Sequence, residues 1–198
     1  VQLLIGTNNA GKVIEISEAL TGLELDIKTP RDLGIHSNPQ ESGETFKENA
    51  VSKAHHFHSL SGLPTVADDS GIIVEALKNE LGIHTRRWGA GPLAGDEEWI
   101  NYFLERMKRE PNKRASFICS LAHIDESGEL HLCEGECRGI ITETLEAPYL
   151  PGLPISACFR PEGFDKVFSA LTLEQKNSTS HRGKASLKLR EHLIKYSI

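Results

Sequence analysis

Two adjacent acids, Asp68 and Asp69, follow a short apolar run from Thr65 to Ala67 and precede Ser70-Gly71. Neighbouring carboxylates repel, so holding both in a folded interior requires a compensating cation. Successive side chains of an extended chain face opposite ways, so one acid can bind a metal while the other addresses a water. Glu41, in the preceding loop, is a candidate to complete a magnesium site, because Mg2+ is typically held by one or two carboxylates with substrate phosphates. A second stretch, Thr7-Asn8-Asn9-Ala10-Gly11-Lys12, lies between a strand end and a helix start. Backbone N–H groups and the positive end of the helix dipole suit an anion there. Asn8 and Asn9 tolerate left-handed backbone, and Lys12 adds a charge. The GxxxxGK[ST] spacing of a P-loop is absent. Taken alone, each stretch is also compatible with a plain polar turn.

Two further features carry charge. Lys53 falls on a helix opened by Thr45, on a side near Phe46, within reach of a cleft or of solvent. Lys176 through Arg182 crosses a helix start: with Ser180 as cap, His181 and Arg182 occupy the first turn. Cations there oppose the helix dipole, a penalty that an anionic ligand would reverse. Local rules are broken most often at functional sites.

The elements that must position these groups follow from periodicity. Val1 to Gly6 reads as a strand, with Val13, Ile16 and Leu20 at helical spacing behind the polar turn. Leu23, Leu25 and Ile27 alternate as in a strand, and Thr29 to Ser42 is a loop. Thr45 with Glu48 is a capping-box pattern for a helix ending near Gly62-Leu63-Pro64. A Gly-rich loop from Gly82 to Gly95 leads to a helix carrying Trp99, Ile100, Phe103, Leu104 and Met107. Ala115 to Ile124 and Leu130 to Ile141 form a hairpin about Asp125-Glu126-Ser127-Gly128. Glu146 to Gly163 is rich in Pro and Gly, Thr172 with Gln175 caps a short helix, and Ser180 caps a last helix to about Tyr196. Helices interleaved with strands and one antiparallel hairpin predict an α/β protein on a mixed sheet.

Composition narrows the partners. With 38% hydrophobic and 25% charged residues, the 198-residue chain reads as one globular unit. Its net charge of −6 argues against binding a nucleic-acid backbone, though not against a small polyanion. No apolar run reaches bilayer length, and no secretory pattern opens the sequence, so neither a membrane nor export is expected. Cys119, Cys133, Cys137 and Cys158 form no CxxC pair and read as reduced structural thiols of a cytoplasm.

Four segments together resemble the inosine/xanthosine triphosphate pyrophosphatases, the Ham1-like family: TNNAGK at Thr7 to Lys12, ESGETFKENAVSKA at Glu41 to Ala54, ADDSG at Ala67 to Gly71, and KNSTSHRGKA at Lys176 to Ala185. The similarity runs nearly end to end. It implies a single two-lobed α/β domain over 1–198 around one long mixed sheet, a cleft between the lobes, and a homodimer. It also implies Mg2+-dependent hydrolysis, with Mn2+ as a substitute, of ITP, dITP or XTP to the monophosphate and pyrophosphate. By motif, Thr7, Asn8, Asn9, Ala10, Gly11 and Lys12 would cradle phosphates, and Glu41, Asp68 and Asp69 would hold the metal. Asp69 would be the general base, assisted by Lys53; Ser70, Lys176, His181 and Arg182 would contact the nucleotide. One segment departs from the family, whose GFGYDPIF stretch is here Leu150 to Phe159, with Ile155-Ser156 in place of Tyr-Asp. No ring can stack on a base from Ile155, which leaves Leu153 or Trp88 as an apolar wall and the base preference open. A non-catalytic nucleotide-binding protein, or the same chemistry on another modified nucleotide, are the competing readings.

Overall fold

The computed structural model describes the chain apart from residues 38, 40, 41, 78, 79, 92, 197 and 198 and the side chains of Arg86, Arg87 and Tyr196. Six strands form one mixed sheet in the order β2-β1-β3-β4-β5-β6. β1 (Gln2–Ile5), β2 (Asp26–Lys28) and β3 (Thr65–Val74) run parallel, whereas β4 (Arg114–Ile124), β5 (Leu130–Ile141) and β6 (Phe159–Pro161) continue antiparallel from β3. The parallel pairs are joined through helices α1 (Ala10–Ala19) and α2 (Phe46–Ser61), as a parallel connection demands. Three more helices follow, α3 (Asp96–Lys108), α4 (Leu173–Thr179) and α5 (His181–Tyr196). None among the described residues is long and apolar enough to cross a membrane.

Strand alternation distributes the helices between two faces. Val66, Cys119, Leu121 and Cys133 face α1 and α5, packing on Ile16, Ala185 and Leu189. Ala67, Ala122 and Ile124 face the other way, onto Ala50 and Ala54 of α2. On the first face, farther along β3, Ile72, Val74 and Cys137 join Trp99, Ile100 and Phe103 of α3 in a larger, aromatic cluster. All four cysteines are buried and free, with burial pushing the Cys119 and Cys158 thiols up to about 12 and Cys137 to about 11. They are packing groups rather than nucleophiles.

Several local expectations change in the folded chain. Asp68 to Gly71 is not a turn after a short strand but the middle of β3, paired residue by residue with β4 from Thr65↔Ile124 to Val74↔Ala115. Helix α1 starts at Ala10 with Asn9 as its cap, so Ala10, Gly11 and Lys12 are its first turn rather than a preceding loop. The Thr45 side chain accepts from the Glu48 N–H as expected, but Glu48 reaches past Thr45 to the N–H of Glu44. The reciprocal box does form at Thr172 and Gln175. In the Pro- and Gly-rich stretch, Phe159–Pro161 adds the edge strand β6, which the composition of that stretch conceals.

Candidate active site

The site arises where β1 ends. β1 pairs with β3 only as far as Val66, where the Gly6 N–H donates to the Val66 carbonyl at 2.7 Å, and the chain then turns away into α1. β3 runs on beside the notch left behind. Its Asp68 and Ser70 project to the α1/α5 side and Asp69 to the α2 side, so Asp69 lies on the cavity wall while Asp68 is buried behind Lys12 and Arg182. Asn9 holds the rim: its side chain accepts from the Lys12 N–H at 3.2 Å and donates to the Gly152 carbonyl at 3.3 Å. The Gly152 N–H in turn donates to Asp96 at 2.6 Å, tying the segment after β5 to α1 and α3.

Asp68 is a buried charge hub with 1% exposure. Its Oδ2 lies 3.0 Å from Lys12 Nζ and 3.6 Å from Arg182 Nη2, and accepts from the Ser70 hydroxyl at 3.1 Å. Burial alone would raise this carboxyl, but Lys12, Arg182 and Lys53 outweigh it and hold it well below the ordinary carboxylate range. Asp69 is held differently. Lys53 Nζ is 2.7 Å from its Oδ1, and Asn49 Nδ2 donates to its Oδ2 at 3.2 Å. Burial dominates there and raises the carboxyl against the pull of Lys53. A carboxylate moved up in this way is a stronger base than an exposed aspartate.

The first turn of α5 supplies the third wall. Ser180 accepts from the Gly183 N–H at 2.8 Å and so caps the helix. His181 and Arg182 are 6% and 3% exposed rather than surface cations. Burial pushes His181 well below its ordinary value, with Arg182 adding repulsion, so the ring is neutral and does not oppose the helix dipole. It stacks on Phe117 at 4.6 Å between centroids. Arg182 is offset within the protein itself, by Glu15, Asp68 and the Ser70 hydroxyl at 2.9 Å. Lys176 Nζ is 3.5 Å from the same Glu15.

Gly135 of β5 lets α5 approach this closely, because a Cβ there would lie 2.1 Å from the His181 carbonyl oxygen and 2.9 Å from the Ala185 nitrogen. Gly135→Ala is therefore expected to displace the helix start. The predicted result is a loss of about 1–3 kcal/mol in denaturant unfolding together with a raised nucleotide KM. Wild-type values of both would show that α5 is not seated on this glycine.

These groups border one cavity of about 650 Å³, within the usual range for a small-molecule site. Its lining combines polar groups, among them Thr7, Lys12, Lys53, Asp69 and Lys176, with apolar ones, among them Trp99, Phe117, Ile155 and Phe168. Among the described residues Lys12, Lys53, Lys176 and Arg182 stand against Glu15, Asp68 and Asp69, an excess of one positive charge. An anion is favoured there although the whole chain is acidic. Ala10 is exposed, and Gly11 sits so near Leu153 and Pro151 that a Cβ would lie within 3 Å of both, so only their backbone can serve a phosphate.

The apolar wall is also re-assigned. Leu153 lines the cavity as expected, whereas Trp88 packs on Tyr102 and Phe103, and Phe117, Phe168 and Trp99 provide the rings. Sequence reasoning missed Glu15, Asn49 and Trp99. Glu15 lies one turn after Lys12 on α1, and that i,i+3 spacing was its only signal. Asn49 is 1% exposed and also accepts from the Gly43 N–H at 2.9 Å; it lies inside the Glu41 to Ala54 segment, whose resemblance gave it no role.

The donor set fits a divalent cation. Asp68 Oδ1 is buried with no hydrogen-bond partner among the described residues, a bare oxyanion beside a second carboxylate. Oxygen donors of this kind suit Mg2+ or Mn2+. Glu41, the third expected ligand, lies outside the described residues.

Comparison with known proteins agrees with this geometry. Residues 3–192 match the model of the Ham1 family. A dITP/XTP pyrophosphatase of Leptospira interrogans is 44% identical over 184 residues, covering 93% of this chain and 92% of the relative. One from Deinococcus deserti is 38% identical, covering 93% and 85%. Among solved structures, a HAM1 protein from Coxiella burnetii superposes with a TM-score of 0.83 at 30% identity, over 98% of this chain and 99% of that one. The Ham1 protein of Staphylococcus aureus does so at 0.81 and 28%, with the same coverage.

Proposed function

The chain belongs to the Ham1 family, and on that premise we propose that it hydrolyses deaminated purine nucleoside triphosphates, ITP, dITP and XTP, to the monophosphate and pyrophosphate. The observation that carries this reading is the held carboxylate of Asp69, with Lys53 on one oxygen and Asn49 on the other, at the wall of a cavity bordered by further cations. Water attacks the α-phosphorus: its oxygen forms the new P–O bond, its proton passes to Asp69, and the bond to the β-phosphate oxygen breaks. Lys12 and Lys176 orient the phosphates, and Lys53 fixes the base. Asp68 and Asp69, with Glu41 in this reading, would hold Mg2+ or Mn2+, which would neutralise charge on the phosphate oxygens.

The apolar part of the lining takes the base. Trp99 is buried at the cavity wall, and its indole N–H has no acceptor among the described residues. A deaminated purine offers a carbonyl where adenine has an amino donor, so a bare N–H selects for it. Trp99→Phe is expected to lower kcat/KM for ITP roughly tenfold, the worth of one hydrogen bond, and to leave ATP unaffected. Equal loss on both would remove Trp99 from base reading.

Pyrophosphate release from ITP, XTP, dITP, GTP and ATP, each with and without Mg2+, tests the whole reading. Release from ITP and XTP only with the metal is expected; no release from any triphosphate would leave a nucleotide-binding protein instead. The buried thiols suit a cytoplasmic pool of free nucleotides. A homodimer is part of the same reading, supported by Leu132 and Ile140, which stand exposed on one face of β5. Light scattering distinguishes dimer from monomer.

A further inference from the structure

We propose a second metal site, for a first-row divalent transition ion such as Zn2+, where α5 crosses the turn end of the β4–β5 hairpin. His123 of β4 pairs directly with His131 of β5, and both project to the α5 face. His192 of α5 comes down on them. Its ring centroid lies 3.9 Å from that of His131 and 5.6 Å from that of His123, with His123 and His131 6.0 Å apart. Asp125 Oδ2 is 3.3 Å from His131 Nε2. Ligand atoms of Asp125, Glu129 and His131 all fall within 4.8 Å of one another. Donors around a tetrahedral zinc sit roughly 3.3 Å apart, given bonds of about 2.0–2.1 Å, so side-chain rotation can close the set.

An independent observation points to a ligand. His123 is 3% exposed, and neither of its ring nitrogens has a hydrogen-bond partner among the described residues. A buried imidazole with both nitrogens bare is costly, and a protein that only needed packing would place an apolar residue there. Three imidazoles with carboxylate oxygens select zinc, cobalt or nickel over magnesium and calcium. None of these residues borders the nucleotide cavity. Bound metal would pin the hairpin to α5, whose first turn carries His181 and Arg182.

The test is a zinc titration of the full chain in excess Mg2+, read by calorimetry and by thermal melting. Wild type and Asp69→Asn are expected to bind one Zn2+ per chain and to melt several degrees higher with it. His131→Gln and His192→Gln are expected to lose affinity at least tenfold, together with that shift, while keeping the wild-type circular dichroism. His123→Leu should melt no lower than wild type without zinc and gain nothing from it, an outcome that separates ligation from a folding defect. Absence of a zinc response in wild type overturns the proposal. So does a response that survives both glutamine variants, or one that disappears in Asp69→Asn alone.

Discussion

Asp69→Asn is expected to reduce kcat by roughly 10²–10⁴ while leaving nucleotide affinity near wild type, the loss typical of removing a general base. The amide keeps the size of the side chain but cannot take a proton from water. Lys53 loses its carboxylate but keeps the Asp68 carbonyl at 3.3 Å, and breaking a buried pair costs about 3–5 kcal/mol at most. Lys53 borders the cavity, where water and phosphate can receive it, so the stability loss should be smaller. Denaturant unfolding beside single-turnover kinetics separates the two effects. A pH profile adds an independent check. The base must be ionised to act, and burial raises the Asp69 carboxyl above its ordinary 3.8. Activity of the wild type should therefore fall in acid at a higher pH than an exposed aspartate would give. That acid limb should be absent from the residual activity of the variant; turnover at the wild-type rate would exclude Asp69 as base.

Arg182→Ala is expected to damage the fold as well as the affinity. From the sequence, its loss should appear mainly in KM. In the structure, the guanidinium is buried between Glu15, Asp68 and Ser70. Removing it leaves one buried and one half-buried carboxylate, of which Asp68 retains Lys12 at 3.0 Å and Glu15 retains Lys176 at 3.5 Å. The cost should approach about 3–5 kcal/mol, visible as a lower urea midpoint with an unchanged slope. The variant should also be more acid-sensitive. Asp68 is depressed below 3.8 in the folded state, so its contribution is complete above that value and lost as pH falls below it. With Arg182 gone the depression shrinks, and acid unfolding moves to higher pH. A wild-type midpoint with raised KM would return Arg182 to a purely ligand-binding role.

The physical reason that one residue was legible and its neighbour was not is range. Thr45 and Thr172 cap helices through bonds to residues three positions away, so their roles could be read from adjacent letters. The Asp-Asp-Ser-Gly stretch read as the end of a short strand, with a plain polar turn as the alternative, because its letters are polar and small. Its strand conformation comes instead from an unbroken ladder to β4, some fifty residues later in the chain. The sequence offered Trp88 as a wall, and only packing decides that Trp99 reaches the cavity instead.

By itself, the sequence determined the α/β class, the hairpin, most helix starts, and most of the charged groups that line the cavity. Periodicity, caps and the four motifs are local properties, and they survive without knowledge of the fold. The tertiary structure alone decided how those charges are shared. It gives Asp68 to Lys12 and Arg182, and Asp69 to Lys53 and Asn49, because β1 stops at the notch and neighbouring strand residues face opposite sides. It also brings Glu15 under Arg182 across 167 residues, a pairing that desolvation makes strong and that no local pattern encodes.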